Sequence, residues 1–165
     1  MQKVALLGGT QFIGYHLAWA LHKQDYEVTL YNRGVTVPPG SFSQNVKHIK
    51  GNREHPHDFK RLFYSDYDFV IDLSGYTPAH VEPIITSYRD CIGHYLFCST
   101  SSVYKIPPPG LLNEGSERTF TPNTYGGNKA LAEDLLLEQY LKNEWPVTIF
   151  RPQGVWGPYQ APQAQ

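Results

Sequence analysis

Apolar residues along this chain come in two alternating rhythms. Short unbroken runs that read as buried strands occupy Lys3 to Leu7, Glu27 to Tyr31 (EVTLY), Val46 to Lys50 and Phe69 to Leu73 (FVIDL). Tyr95 to Thr100 (YLFCST) and Val147 to Arg151 (VTIFR) add a fifth and a sixth. Between them the spacing turns helical: Phe12 to Lys23, His80 to Arg89, and Thr124 to Lys142, where Leu131, Leu135, Leu136 and Tyr140 recur at helix period. Pro83 is tolerable only in the first turn of its helix, because it lacks an N–H.

Strands that alternate with helices predict βαβ units and a parallel sheet covered on both faces. Six strands with a glycine turn after the first fit an α/β, doubly wound, three-layer sheet of strand order 3-2-1-4-5-6. One domain over residues 1–158 is expected, with a loose tail at 159–165. The irregular stretch KIPPPGLLNEGSERTFTP leaves the carboxyl edge of the sheet, where ligand-binding loops lie.

Composition narrows the function classes. Lys+Arg 14 against Asp+Glu 15 gives a net charge of -1, which offers no electrostatic footprint for nucleic acid or acidic lipid. Cys91 and Cys98 supply neither a disulfide framework nor zinc spacing and read as buried thiols. Gly8 and Gly9 halt the first apolar run, so no signal peptide is expected, and no run reaches transmembrane length. A soluble cytoplasmic protein is the expectation.

The first turn, GGTQFIG, carries candidate chemistry. In a dinucleotide-binding turn one glycine permits the bend, a second admits the pyrophosphate and a third lets helix and strand approach. Gly8 and Gly14 fit the first and third roles, while Gln11 stands at the second. A side chain there costs about 1–2 kcal/mol if the position is left-handed. Backbone N–H groups at the helix start remain available to an anion. The second strand ends in Asn32 and Arg33 rather than a carboxylate. An arginine suits a 2′-phosphate and favours NADP over NAD; a plain NRG turn is the alternative.

YGGNK places Tyr125 and Lys129 four residues apart, on one face of a helix start. A phenol must fall about 3 pH units to act as a base near neutrality, about 4 kcal/mol. One ammonium about 4 Å away at intermediate dielectric supplies that much. Thr100, in CSTSSVY, adds a hydroxyl for a substrate oxygen.

Together GGTQFIG, STSSVY, YGGNK and RPQGVWGP resemble an extended or atypical short-chain dehydrogenase/reductase of the NAD-dependent epimerase/dehydratase group, in that group's order, from residue 1 to about 158. The resemblance implies a Rossmann fold and a catalytic set of Tyr125, Lys129 and Thr100, with Tyr125 moving a proton and Lys129 holding the nicotinamide ribose. It implies a pyrophosphate site at Gly8, Gln11, Phe12, Ile13 and Gly14. Asn32 and Arg33 would meet the adenosine ribose, and Asn52 the adenine. Leu73, Ser74 and Gly75 would run along the cofactor, with Pro152 and Val155 near nicotinamide and substrate. The implied substrate is a small molecule bearing a hydroxyl or ketone carbon, such as a nucleotide sugar. A homodimer is implied as well.

Departures from the pattern are Gln11, Asn32, Asn52 and Asn128. Family enzymes are also about twice as long, and their second half builds most of a substrate domain. Two further readings therefore stand beside the enzyme: a non-catalytic dinucleotide-binding module, and an RNA-associated protein of the atypical branch, against which the near-neutral charge argues. His55, His57 and Asp58 in NREHPHD read as a solvent-exposed helix start, not a metal site. Trp19 reads as core or interface, and Trp156 as strand-end packing or a substrate platform.

Overall fold

The computed structural model describes residues 1–40, 42, 46–106 and 110–160. Six parallel strands form one sheet in the expected order: β3 (Lys47–Lys50), β2 (Glu27–Asn32), β1 (Lys3–Leu7), β4 (Tyr67–Asp72), β5 (Ile92–Cys98), β6 (Val147–Phe150). The central strands β1 and β2 are buried along nearly their whole length, as a sheet covered on both faces requires. The edge strand β3 is mostly exposed.

Alternate residues divide the core. Leu6, Leu30 and Ile71 meet Ala18, Leu17 and Leu21 of α1 (Phe12–Lys23) on one face. Ala5, Leu7, Val70, Tyr95 and Phe97 meet the opposite layer. That layer is built from α2 (Pro56–Lys60), α3 (Pro78–Pro83) and α4 (Tyr125–Asn143). The connection from β2 to β3 forms no helix among the described residues. Phe42 and Val46 from it pack against the α1 cluster instead.

The helix expected over His80 to Arg89 is divided. It starts earlier, with Pro78 in its first turn, so Pro83 falls in the second turn. Lacking an N–H, Pro83 cannot continue the hydrogen-bond ladder, and the chain widens into a π-helical turn at Ile84–Tyr88 and then tightens at Arg89–Cys91. By contrast α4 is cleanly bounded. The Thr124 hydroxyl accepts the Gly127 N–H, and Glu144 closes the helix in the left-handed region.

Within the segment expected to be a tail, the Tyr159 ring stacks on His16 at 5.7 Å and meets Tyr15 edge-on at 5.3 Å. Residues 161–165 of the expected tail lie outside the described residues. Among the described residues no helix is long and apolar enough to cross a membrane.

The join of β1 to α1 leaves no room for a side chain at Gly14, where a Cβ would sit 2.0 Å from the Gly8 carbonyl oxygen. Gly14→Ala is expected to cost more than about 2 kcal/mol, because backbone must shift to admit the methyl. Urea unfolding measures it; an unchanged midpoint would contradict this close approach.

Candidate active site

A cleft of about 1070 Å³ runs across the carboxyl ends of the strands, bounded by the glycine turn on one side and the start of α4 on the other. Gly8, Gln11, Phe12, Ile13 and Gly14 all line it. Gly8 takes φ +98° at the bend, a conformation that suits glycine. Gln11 is extended (φ -143°, ψ 149°), so its side chain carries none of the left-handed cost considered for it. The strain sits one residue later, at Phe12, with φ 47°.

At one end of the cleft Asn32 receives the Gly34 N–H on Oδ1 at 2.8 Å, and His48 Nε2 lies 3.1 Å from the same oxygen. That backbone donor fixes the amide orientation, leaving Nδ2 buried without a partner. Arg33 is exposed on the rim. Asn52 also lines the cleft, its side-chain oxygen accepting the Glu54 N–H at 3.2 Å.

The middle of the floor is a buried ion pair. Arg53 Nη1 and Nη2 donate to Asp72 Oδ1 and Oδ2, each at 2.8 Å. The Tyr95 phenol donates to Oδ2 at 2.7 Å, the Ser74 N–H donates to Oδ1 at 2.9 Å, and Arg53 Nη2 also reaches the His80 carbonyl at 2.7 Å. Burial works against the Asp72 carboxylate, but Arg53 and these donors outweigh it and hold its pKa at about 2. The Tyr95 phenol is pushed up by burial and by Asp72. Sequence reading passed over Arg53, Asp72 and Tyr95. The signal was present: an aspartate inside the apolar run FVIDL must have a partner. Leu73 and Ser74 line the cleft, but Gly75 does not. A Cβ on Gly75 would lie 2.8 Å from both Asp72 Oδ2 and the Phe97 ring, so a side chain there would press into the packing beneath.

The other end gathers Thr100, Tyr125, Lys129, Pro152 and Val155. Lys129 is 1% exposed and donates from Nζ to the Cys98 carbonyl at 2.6 Å. The Tyr125 ring is 52% exposed. Its phenol is raised above the ordinary value by burial, then by the neighbouring Tyr76, while the Thr100 hydroxyl pulls it down. This departs from the expected lowering by Lys129: the ammonium lies 6.0 Å from the Tyr125 ring centre and spends a donor on a carbonyl. Buried Glu133 of α4 accepts from Arg118 and Arg151, tying the segment after β5 and the end of β6 to this helix.

Tyr76, His80, Cys98 and Ser99 line the cleft and were not singled out as site residues from sequence. Cys98, expected buried, is half-buried because it ends β5 at the cleft wall; Cys91 is half-buried at a turn. His55 precedes α2 and stands 3.8 Å from Asp58. Trp19 packs beside His22 and Phe42, whereas Trp156 is 85% exposed and packs against little.

Four buried side-chain atoms among the described residues lack a hydrogen-bond partner: Tyr31 OH, Asn32 Nδ2, Arg53 Nε and Ser99 Oγ. All four belong to residues that line this cleft. Buried polar groups are otherwise paired, so the cleft is built for a ligand rich in hydrogen-bonding atoms. A dinucleotide fits that description.

A family model described as the NAD dependent epimerase/dehydratase family matches residues 4–165. The chain belongs to the NAD-dependent epimerase/dehydratase family. Chloroplast stem-loop binding protein of 41 kDa b from Arabidopsis thaliana is 31% identical over 95% of this chain and 43% of its own length. Among solved structures, dTDP-glucose 4,6-dehydratase from Bacillus anthracis in complex with NAD superposes with TM-score 0.80 at 19% identity. UDP-N-acetylglucosamine 4-epimerase from Methanobrevibacter ruminantium, in complex with UDP-N-acetylmuramic acid, does so with TM-score 0.84 at 23%. Each superposition covers 99% of this chain and 58% of the other, and at these identities it shows the shared fold. The chain thus spans about half the length of the epimerase/dehydratase relatives it matches.

The Asp72 carboxyl contributes stability above the unfolded value of 3.8, and this is lost as pH falls through about 2. The contribution is about 2 kcal/mol. Asp72→Asn leaves the Arg53 guanidinium buried against a neutral group and is expected to cost about 3–5 kcal/mol at pH 7. Thermal unfolding from pH 2 to 7 checks both: the difference between parent and variant should shrink toward pH 2.

Proposed function

We propose that this chain binds a nicotinamide dinucleotide along the cleft and transfers hydride at a hydroxyl or ketone carbon of a small molecule, with a nucleotide sugar as the substrate class. The observation that carries this reading is the convergence of Tyr125, Lys129 and Thr100 at the end of the cleft opposite Asn32 and Arg33, with the glycine turn alongside. A bound nicotinamide supplies the two-electron acceptor or donor. Thr100 directs its hydroxyl to the reacting oxygen. Tyr125 holds its proton at neutral pH and delivers it to a carbonyl oxygen; the reverse reaction returns it. Lys129 stands behind the phenol as the fixed cation.

A slight preference for NADP over NAD is supported by the other end, where Asn32 and the exposed Arg33 stand in place of a carboxylate that would favour a free 2′-hydroxyl. Hydride transfer at such a carbon serves epimerisation, dehydration or reduction alike, and Glu54 is the sole carboxylate lining the cleft among the described residues. Residues 1–158 form the dinucleotide-binding unit in this reading. A homodimer and a cytoplasmic location belong to the same reading.

Calorimetric titration should show NADPH binding more tightly than NADH, with the preference reduced about tenfold or more in Arg33→Gln, the loss of one charge-assisted contact. Tyr125→Phe should spare NADPH binding and abolish turnover; retained turnover removes the proton-transfer role.

A second reading is favoured by the stem-loop binding relative. It predicts retention of a stem-loop RNA that weakens steeply with salt. The near-neutral charge opposes it, and filter binding at two salt concentrations is expected to show no salt-sensitive retention.

A further inference from the structure

The Lys129 ammonium is enclosed by rings. Its Nζ lies 4.7 Å from the centre of Phe97 and 5.0 Å from that of Tyr76, with Tyr125 at 6.0 Å, while the Cys98 carbonyl takes one of its three donors. Phe97 belongs to β5 and is fully buried. Tyr76 comes from the β4–α3 connection and is 48% exposed, so nothing in the core requires an aromatic there. Its place is fixed by the backbone: the Tyr76 N–H donates to His80 Nδ1 at 3.0 Å. The two phenol rings stand 6.1 Å apart, with Lys129 beneath them.

We infer that Tyr76 is a positioning residue of the catalytic end, clamping the Lys129 ammonium between its ring face and that of Phe97 so that the lysine stays cationic and stationary without water. This deepens the reading of Lys129 as the fixed cation behind Tyr125 and rests on it. A cation held over aromatic faces gains from the ring quadrupole, more so where solvent is excluded. The need is plain, because burial acts to discharge Lys129 and is the largest influence on it. Asp72 from β4, Cys98 from β5 and Glu133 from α4 support the charge, and Arg53 from the β3–α2 segment opposes it. The carboxylate that supports it most, Asp72, is already paired with Arg53, and Glu133 with Arg118 and Arg151. The rings supply attraction that neither of these carboxylates gives undivided.

The test separates the ring face from mere shielding. Tyr76→Leu keeps an apolar cover but removes the quadrupole; Tyr76→Phe keeps both and removes only the hydroxyl. The protonation midpoint of Lys129 is read from its Cε resonance in ligand-free protein labelled with ¹³C-lysine, the signal being assigned by its loss in Lys129→Met. The midpoint should fall by about one pH unit in Tyr76→Leu and stay with the parent in Tyr76→Phe. Equal midpoints in all three proteins overturn the inference, as does an equal fall in both variants. Tyr76→Met gives the same comparison should the leucine variant not fold. NADPH affinity measured against pH is the second readout, its alkaline loss moving down by the same interval in Tyr76→Leu. If the parent binds no dinucleotide, the functional reading fails while the resonance measurement still decides the clamp.

Discussion

One carboxylate organises the floor of this cleft. Asp72 ends β4 fully buried, and its two oxygens collect a guanidinium, a phenol and a backbone N–H from three separate segments. Arg53 then passes the connection to the His80 carbonyl in α3. The polypeptide after β3, the turn after β4 and the middle of β5 are thereby fixed in relation to one another. A buried ion pair of this kind is a weak source of net stability, since desolvation offsets most of the attraction. Its value here is geometric: it makes three loop origins share one reference point.

From that point the two ends of the cleft acquire opposite characters. One end, at Asn32 and Arg33, is a surface of donors and cation. The other is aromatic and nearly dry around its single ammonium, with phenol and hydroxyl at the mouth. The glycine turn along the cleft contributes little side-chain chemistry. An extended ligand with phosphate in its middle and different groups at its two ends matches this gradient better than a compact one.

Much of the plan was legible in the chain. The strands and the α1 and α4 helices followed from hydrophobic period, and the strand order from their alternation with a glycine turn after the first strand. Positions such as Gly8, Gly14, Tyr125 and Lys129 were legible because each is bound to a local spacing. What escaped notice depends on contacts across long sequence separations. Arg53 and Asp72 lie 19 residues apart, Tyr95 a further 23 along, and none of the three forms a motif alone. Gly75 shows what spacing cannot convey: a small residue beside a cleft also answers to the packing beneath it. Pro83 misled because the helix begun at Pro78 absorbs it by widening, a response that propensity alone does not encode.

The acceptor for the Lys129 ammonium is a main-chain carbonyl, that of Cys98. Every amino acid carries that oxygen, so no side-chain replacement at position 98 deletes the anchor. Sequence drift at the end of β5 leaves the cation tethered, so long as the strand reaches the same depth. The tether is therefore a property of topology, inherited by any sequence that completes this sheet.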